Sequence, residues 1–464
     1  MNRHLEDFYR IMPTGVQNAC ISLYGYYWKK KRLGGSYSKY LKEIKDREFY
    51  TYEQWELYQT TQLRKILVHA YNNVPYYSEK YKNAGLDLGF LENIKLNEIK
   101  EIPYTTKDDF RKYCQTSMLA NKIEKGEYFS SSGSTGTPTH IYTPDYFSQQ
   151  AAAYMEARVL NWAGVSYKLP RGMVGGRRIL PESKMSPPYY RYNIFEKQTY
   201  FSAYHISENT IDNYLKGIVD NKVEWMHGYA MSIYYIADFI QKAGLKAPRL
   251  KAVITSSEKL TKEMRTVISS VFKCPVFDSY SGSEFCGLIS ENQQGELLVS
   301  PDVGIMEFVD QDGIEVANGQ IGEIISTGFI NYDQPLIRYK IGDLAKVSTS
   351  QELSTNHNMT KIDEIIGRVE DTVIGKDGRK MVRFHSVFTD IPGLIQSQLI
   401  QKTHTNFEIK LIVDQSVYNR ALSEHTITRR LVSQIGEVFV NFLYVKHIPS
   451  EKNGEVKAVI SLIK

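Results

Sequence analysis

The sequence has few cysteines, and their arrangement suggests neither a metal site nor a disulfide framework. Its 464 residues include four: Cys20, Cys114, Cys274 and Cys286. They form no CxxC pair and have no Cys/His ligand spacing. We therefore expect reduced thiols, as in proteins of a reducing compartment.

The sequence also lacks a clean apolar run. The longest uncharged stretch, 11–28, contains Pro13, Gly15, Gln17 and Asn18, so it is a poor membrane span. The first ten residues carry charges of both signs, which does not fit a secretory signal, and we expect a cytoplasmic protein. Residues 24–28 are mostly aromatic and run into the basic segment 29–32. This pattern fits either a helix packed on its own domain or a peripheral contact with an anionic membrane face.

No strong charge imbalance is present. There are 57 Lys and Arg against 52 Asp and Glu, giving a formal net charge of +5. The basic residues are scattered, which argues against a nucleic-acid binder. The 31 Gly, 15 Pro and 12% aromatic residues are globular values, which exclude disorder as the main state.

The order of patterns along the chain predicts an α/β fold in two parts. From about 207, helices alternate with short apolar strands, which is typical of a parallel sheet. Beyond 295 the pattern becomes mainly β, whereas 165–200 has no clear period and suggests a long functional or packing loop. We place a large domain at 1–366 and a small α+β domain at 367–464.

The segment 130–139 is rich in Ser, Thr and Gly. Its hydroxyls and exposed amides can donate many hydrogen bonds to phosphate oxygens. It lacks the lysine of a Walker A loop, and the alternative interpretation is a flexible linker. We favour phosphate binding.

Four motifs, in order along the chain, resemble those of the adenylate-forming ligase superfamily. The serine-rich run resembles its phosphate loop. The others are 280–284 (YSGSE), 338–343 (RYKIGD) and 367–371 (GRVED). Within the superfamily, Thr139 and the segment 255–258 are similar to the phenylacetate–CoA ligase branch. The segments 189–193 and 203–207 resemble its CapK-type, capsular-polysaccharide subgroup.

The resemblance implies a large adenylate-forming domain with mixed and parallel sheets, and a small mobile C-terminal lid. The implied reaction uses ATP and Mg²⁺ to convert a carboxylate into an acyl- or aryl-adenylate. The phosphate contacts implied are Ser131, Ser132, Gly133, Ser134, Thr135, Gly136 and Thr137. Thr135 and Glu284 would share the Mg²⁺ ion and act in catalysis.

The remaining motif residues would hold the nucleoside. The resemblance implies that Tyr280 flanks the adenine with Ser281 beside it, and that Asp343 and Arg368 bind the ribose. Glu258 follows two serines at a strand end, where α/β ligand sites lie, and is expected to contact nucleotide or substrate.

An acyl pocket is expected near 225–229. There, Trp225, His227 and Tyr229 would line or back the pocket, the alternative being an aromatic core. His205 is interpreted as a structural histidine.

One departure from the family concerns the C-terminal motif. The family usually places a catalytic lysine after a glycine, but this chain has Glu455 after Gly454. Lys457, or Lys452, would have to substitute as the cation that reaches the substrate carboxylate and the α-phosphate. The segment 290–305 has neither Cys nor His, so no zinc is expected.

Two functions follow. The first is an ATP-dependent ligase that passes an acyl group to coenzyme A or to a sugar or amine, in surface polysaccharide synthesis. The alternative is a nucleotide-binding, catalytically impaired accessory protein of a polysaccharide cluster. The expected partners are small molecules, with no nucleic acid; acyl identity and oligomeric state cannot be read from the sequence.

Overall fold

The computed structural model describes most of the chain. The residues described are 9, 12–130, 139–177, 179–180, 186–257, 260, 262–350, 357–366, 373–376, 380–381, 385–388, 391–413, 415–446, 448 and 459–463.

Helices are concentrated in the first half of the chain. They are α1 (Thr14–Leu33), α2 (Tyr37–Asp46), α3 (Tyr52–Asn73), α4 (Pro75–Asn83), α5 (Leu88–Asn93), α6 (Lys107–Tyr113), α7 (Asp145–Tyr154), α8 (Ile211–Asp220), α9 (Ala230–Lys242), α10 (Lys262–Phe272), α11 (His385–Phe388) and α12 (Arg420–Ile435). A 3-10 helix covers Leu96–Glu101, and a π-helix, Met155–Leu160, continues α7. Local chemistry fixes several of the helix starts. Thr106, for example, caps α6 by accepting a hydrogen bond from the Asp109 amide at 3.1 Å.

The strands form one large sheet and three small ones. They are β1 (Gly126–Ser130), β2 (His140–Pro144), β3 (Arg171–Gly175), β4 (Tyr190–Asn193), β5 (Gln198–Ser202), β6 (Trp225–Tyr229), β7 (Ala252–Ser256), β8 (Val276–Tyr280), β9 (Ile289–Glu291), β10 (Leu297–Val299), β11 (Gly304–Val309), β12 (Ile321–Gly328), β13 (Tyr339–Val347), β14 (Lys361–Ile366), β15 (Val373–Ile374), β16 (Lys380–Met381), β17 (Leu394–Gln401), β18 (Asn406–Val413), β19 (Phe439–Tyr444) and β20 (Val459–Ser461).

The large sheet has 12 strands in the order β11-β12-β13-β14-β10-β9-β8-β7-β6-β3-β5-β4. Strands β5, β3, β6, β7 and β8 are mutually parallel. The other pairs in this sheet are antiparallel. The predicted mixed α/β class is confirmed, and the alternating region from 207 supplies the parallel strands.

The segment 165–200 differs from the loop expected there, because it contributes β3, β4 and the start of β5. These strands are short and carry buried polar side chains, so they lack an apolar period. Arg171, for instance, donates to the Gln198 side chain at 2.6 Å and pairs with Glu196 at 3.0 Å. Such mutual pairing allows a polar strand to be buried.

The C-terminal part has its own core. A four-stranded sheet, β19-β18-β17-β20, packs with α12 around Leu399, Ile409 and Leu431. The helix ends at Ile435 because Gly436 adopts a left-handed φ of 86°. The predicted boundary at 366/367 falls next to residues outside the described part and stays a prediction.

Candidate active site

Parallel strand ends define one edge of the large sheet. Strands β6, β7 and β8 are adjacent and parallel, and they end at Tyr229, Ser256 and Tyr280. Ligands of open α/β sheets bind at the carboxyl ends of such strands. The topology therefore brings the predicted pocket motif and the predicted adenine motif to the same edge.

A hydrogen bond joins two motifs that lie 63 positions apart. The Tyr280 hydroxyl donates to Oδ2 of Asp343 at 2.8 Å. Burial, followed by the charge of Asp343, raises the pKa of Tyr280 well above its usual value, so the phenol keeps its proton. The two side chains predicted to flank adenine and to bind ribose are thus in contact, and Ser281 follows Tyr280 as an exposed residue.

Glu284 is the last residue of the 280–284 motif, and it contacts the 338–343 motif. Its carboxylate accepts a hydrogen bond from the Tyr339 hydroxyl at 3.4 Å. Among the described residues, no Lys or Arg lies within ion-pair distance of it. Burial, and then the charge of Asp343, raise the pKa of Glu284. A partly buried carboxylate without a basic neighbour is stabilised by a cation, and its hard oxygens suit Mg²⁺.

The two strands that flank the predicted phosphate loop lie near Glu284. The loop residues 131–138 lie outside the described residues, but Ser130 and His140 on either side are paired in the β1–β2 hairpin. Ile141, one residue into β2, lines the same small cavity as Glu284. The chain therefore leaves β1 and enters β2 close to the carboxylate that is predicted to hold the metal.

A polar segment, 331–334, fixes this hairpin. The Asn331 amide donates to the carbonyl of Tyr142 at 2.9 Å, and Gln334 Oε1 accepts from the Tyr142 amide at 2.8 Å. Asp333 accepts from the Glu124 amide at 2.6 Å. Sequence reasoning missed these positioning residues. The available signal was a run of Asn, Asp and Gln directly before the 338–343 motif.

Arg338 is a second positioning residue. Its side chain is buried and pairs with Glu307 at 2.7 Å. It also donates to the carbonyls of Lys100 and Ile102 at 2.7 and 2.8 Å. Its backbone is left-handed, with a φ of 42°. These contacts set the direction in which the chain enters β13 and presents Tyr339 to Glu284.

The predicted acyl-pocket residues occupy every second position of β6, so their side chains lie on the same face of the sheet. Trp225 is fully buried in an apolar cluster, and its ring lies 5.3 Å from that of His227. Tyr229, at the strand end, lies over Gly176, where an added Cβ would come within 2.7 Å of its hydroxyl. Trp225 thus backs this region, whereas Tyr229 and Gly176 lie at the sheet edge.

His227 lies in a positively charged surrounding. Burial, and then the charges of Arg171, Arg32 and Arg177, lower its pKa to about 3. Its Nε2 atom is buried and has no hydrogen-bond partner among the described residues, and the same holds for the Trp225 indole nitrogen. The ring is therefore neutral at physiological pH.

Several predicted site residues lie outside the described part of the chain. They are Ser131, Ser132, Gly133, Ser134, Thr135, Gly136, Thr137, Glu258, Arg368 and Lys457. Their roles stay predictions. Within the described residues, no group of three or more His, Cys, Asp or Glu side chains forms a metal-binding cluster, so a magnesium site here would rest on Glu284 with hydroxyl and substrate oxygens.

Comparison with known proteins agrees with the motifs. Residues 373–462 match the family described as the CapK C-terminal domain. Protein CapK of Staphylococcus aureus is 28% identical over 470 residues, which cover 99% of this chain and all of that protein. Phenylacetate–coenzyme A ligase of Escherichia coli K12 is 23% identical over 391 residues, covering 80% of this chain and 82% of that enzyme.

The chain is a homologue of CapK and of the phenylacetate–coenzyme A ligases. The resemblance stated from the motifs is thereby confirmed.

Solved structures show the same fold. A 2-hydroxyisobutyryl-CoA ligase in complex with 2-HIB-AMP and CoA, in its thioesterification state, superposes with a TM-score of 0.58. The match covers 89% of this chain and 91% of that one, at 17% identity. The postadenylation form of the ligase, with R3-HIB-AMP, gives 0.54. The expected adenylate-forming fold, including a C-terminal domain, is confirmed.

Among the described helices, none combines the length and the apolar character needed to cross a bilayer.

Proposed function

We propose that this protein is an ATP-dependent ligase that converts a carboxylic acid into an acyl- or aryl-adenylate and then transfers the acyl group. Homology to phenylacetate–coenzyme A ligases supports an adenylate-forming acid–CoA ligase. The observation that carries the proposal is the position of Glu284, in one cavity with the anchor of the predicted phosphate loop.

The chemistry requires that a poor electrophile be activated. A carboxylate oxygen of the substrate attacks the α-phosphorus of ATP and pyrophosphate leaves, so negative charge builds up on the leaving group. Positioning and charge neutralisation then supply the catalysis. Loop residues 131–137 would donate to the β- and γ-phosphates. A bound Mg²⁺, held by Thr135 and Glu284, would neutralise phosphate charge.

The nucleoside would be held by groups that already contact each other. Asp343 has carboxylate oxygens for the ribose hydroxyls, and its contact with Tyr280 fixes its orientation. Arg368 would support the ribose from the 367–371 motif. Glu258, directly after the end of β7, would reach either the nucleotide or the acid.

The acid would bind beyond β6. A neutral His227 can accept or donate a hydrogen bond without repelling the surrounding arginines, and Tyr229 with Gly176 would limit the pocket at the sheet edge. We propose coenzyme A as the first acceptor to test. A sugar or amine is the other candidate, because homology to CapK favours a role in surface polysaccharide synthesis.

The decisive experiment is an ATP–pyrophosphate exchange screen with the full chain, Mg²⁺ and a set of aliphatic, aromatic and sugar-linked carboxylic acids. We expect exchange that depends on one class of acid. Exchange with none of them, despite measurable ATP binding, would overturn the ligase proposal.

The C-terminal cation is tested separately. Lys457→Ala and Lys452→Ala should be compared in single-turnover adenylation, and we expect a loss of roughly 100-fold for the lysine that reaches the phosphate. Glu455 is the sequence feature that favours the accessory-protein alternative. ATP binding without turnover, unaffected by either lysine change, would support that alternative.

A further inference from the structure

The first helix, α1, has an inverted distribution of polar residues. Its inward-facing residues include Gln17 at 2% exposure, together with Ser22 and Lys31. The residues it exposes are Gly15, Val16, Ala19, Leu23, Tyr24, Tyr26, Tyr27, Lys29 and Lys30. A helix on the surface of a globular protein normally shows the opposite arrangement.

The inward polar residues have a structural reason. Strand β4 is the edge strand of the large sheet, and α1 packs beside it. Asn18 accepts from the Tyr192 amide at 3.1 Å, and Ser22 accepts from the Ile194 amide at 3.2 Å. Gln17 accepts from the buried Arg191 at 2.6 Å. The helix thus satisfies the free edge of the sheet. This requirement accounts for the polar side, but not for the apolar one.

The outward side forms a continuous surface, which we call the aromatic face: Val16, Leu23, Tyr24, Tyr26 and Tyr27, with Phe195 beside it. Leu23 is 67% exposed and Tyr27 is 53% exposed. Val16, Leu23 and Tyr27 are spaced by seven and four residues, so they lie along one line of the helix. Phe195 extends the face, since its ring lies 5.1 Å from that of Tyr26.

Charge distinguishes among possible occupants. Helix α1 has no acidic residue and ends in KKKR before Leu33. Lys31 and Arg32 are used internally, Lys31 by Glu127 at 3.1 Å and Asp145 at 3.4 Å, and Arg32 by Glu196. Lys29 donates to the Phe195 carbonyl at 3.0 Å and Lys30 lies over the Tyr26 ring, but both are exposed at the border of the face and no ion pair within the described residues engages them.

We propose that the aromatic face binds the surface of an anionic phospholipid bilayer. Leucine and tyrosine side chains suit the boundary between lipid headgroups and acyl chains. At this boundary a tyrosine ring can lie in apolar surroundings while its hydroxyl contacts water. Lys29 and Lys30 would contact the lipid phosphates. Two copies of the chain pairing through this face would bring like charges together with no acid on the helix to oppose them, so the charge pattern favours lipid over self-association.

The test is co-sedimentation of the full chain with phosphatidylcholine vesicles, with and without phosphatidylglycerol, at low and high salt. We expect binding only to the anionic vesicles, weakened by salt. Leu23→Ser with Tyr27→Ser removes apolar contacts. Lys29→Glu with Lys30→Glu removes the charge and should weaken binding roughly tenfold or more.

A matched control lies on another helix. Leu57, 70% exposed on α3, and the exposed Lys65 provide Leu57→Ser with Lys65→Glu, which should leave vesicle binding unchanged. Thermal melts check that each variant is folded. If the apolar variant does not fold, the charge variant still tests the proposal.

Two outcomes would overturn the proposal. The first is no difference between anionic and neutral vesicles, or equal binding by the parent and the charge variant. The second is a concentration-dependent dimer in sedimentation velocity without lipid, lost in the Leu23→Ser, Tyr27→Ser variant, which would assign the face to a second copy. Neither result bears on the ligase assay, so the two proposals can fail independently.

Discussion

Two neighbouring regions at the edge of the large sheet satisfy their polar groups differently. On the predicted nucleotide side, Tyr280 donates to Asp343 and Tyr339 donates to Glu284. On the predicted acyl side, the indole nitrogen of Trp225 and Nε2 of His227 are buried without partners among the described residues. A polar group that already has a partner is preorganised, whereas a buried one without a partner weakens the fold by about 1–3 kcal/mol. This difference agrees with the proposal that the first region holds the constant ligand, the nucleotide, and the second the variable one, the acid.

The variant with the largest expected effect on the predicted nucleotide side is Glu284→Gln. It removes the charge that would hold Mg²⁺ while keeping the side-chain shape. We expect ATP–pyrophosphate exchange to fall by roughly 100-fold or more, with a right-shifted Mg²⁺ dependence. Glu315→Gln, at an exposed carboxylate, is the control. Unchanged exchange in Glu284→Gln would show that the metal is held elsewhere.

The residues of the predicted nucleotide side could be picked out from sequence motifs because they are close together in short segments. Tyr280 ends β8, Glu284 follows it by four residues, and Asp343 lies within β13. The contact between Tyr339 and Glu284 was missed although Tyr339 lies in the same motif as Asp343. A tertiary contact between two motifs has no local signature.

The rest depends on long-range pairing, which short-range patterns do not encode. The pattern of 165–200 predicts a loop because Arg171 and Arg191 interrupt the apolar pattern. Their partners, Glu196 and Gln17, are 25 and 174 positions away. The sequence also allows two interpretations of residues 24–32, because the side of α1 that faces outward depends on its contacts with β4.

The second prediction tests whether the nucleotide side acts as a unit. Tyr280→Phe removes the donor of the 2.8 Å hydrogen bond, and Asp343→Asn removes the charge of its acceptor. We expect each to raise the KM for ATP by about tenfold, since a hydrogen bond to a charged group contributes about 1.5–3 kcal/mol. The double variant should lose less than the sum of the two. Strict additivity of the two free-energy changes in ATP binding would argue that the two residues act separately.

The third prediction concerns the acyl side and pH. His227 has its pKa lowered from 6.5 to about 3, chiefly by burial. Above pH 6.5 the ring is neutral in both the folded and the unfolded chain, so it contributes no pH dependence. Below that value the unfolded chain binds the proton and the folded one does not, so stability falls by at most about 1.4 kcal/mol per pH unit.

His227→Gln should remove that slope. Urea melts of the parent and the variant between pH 7 and pH 5 give the comparison. The difference between the two proteins is the quantity to use, because Asp278, with a pKa raised to about 7 by burial, adds an opposite slope to both. Parallel stability curves would mean that His227 is protonated or solvated in the fold.

The smallest expected effect separates the two regions most cleanly. In Gly176→Ala, the new Cβ would lie 2.7 Å from the Tyr229 hydroxyl, which is the far end of a side chain that can move. We expect a two- to threefold change, on the order of 0.5 kcal/mol, in the KM for the acid that gives the best exchange. The KM for ATP and the melting temperature should stay the same, because no nucleotide-side residue is touched. A change in the KM for ATP instead would place Tyr229 against the nucleotide and would merge the two regions into one.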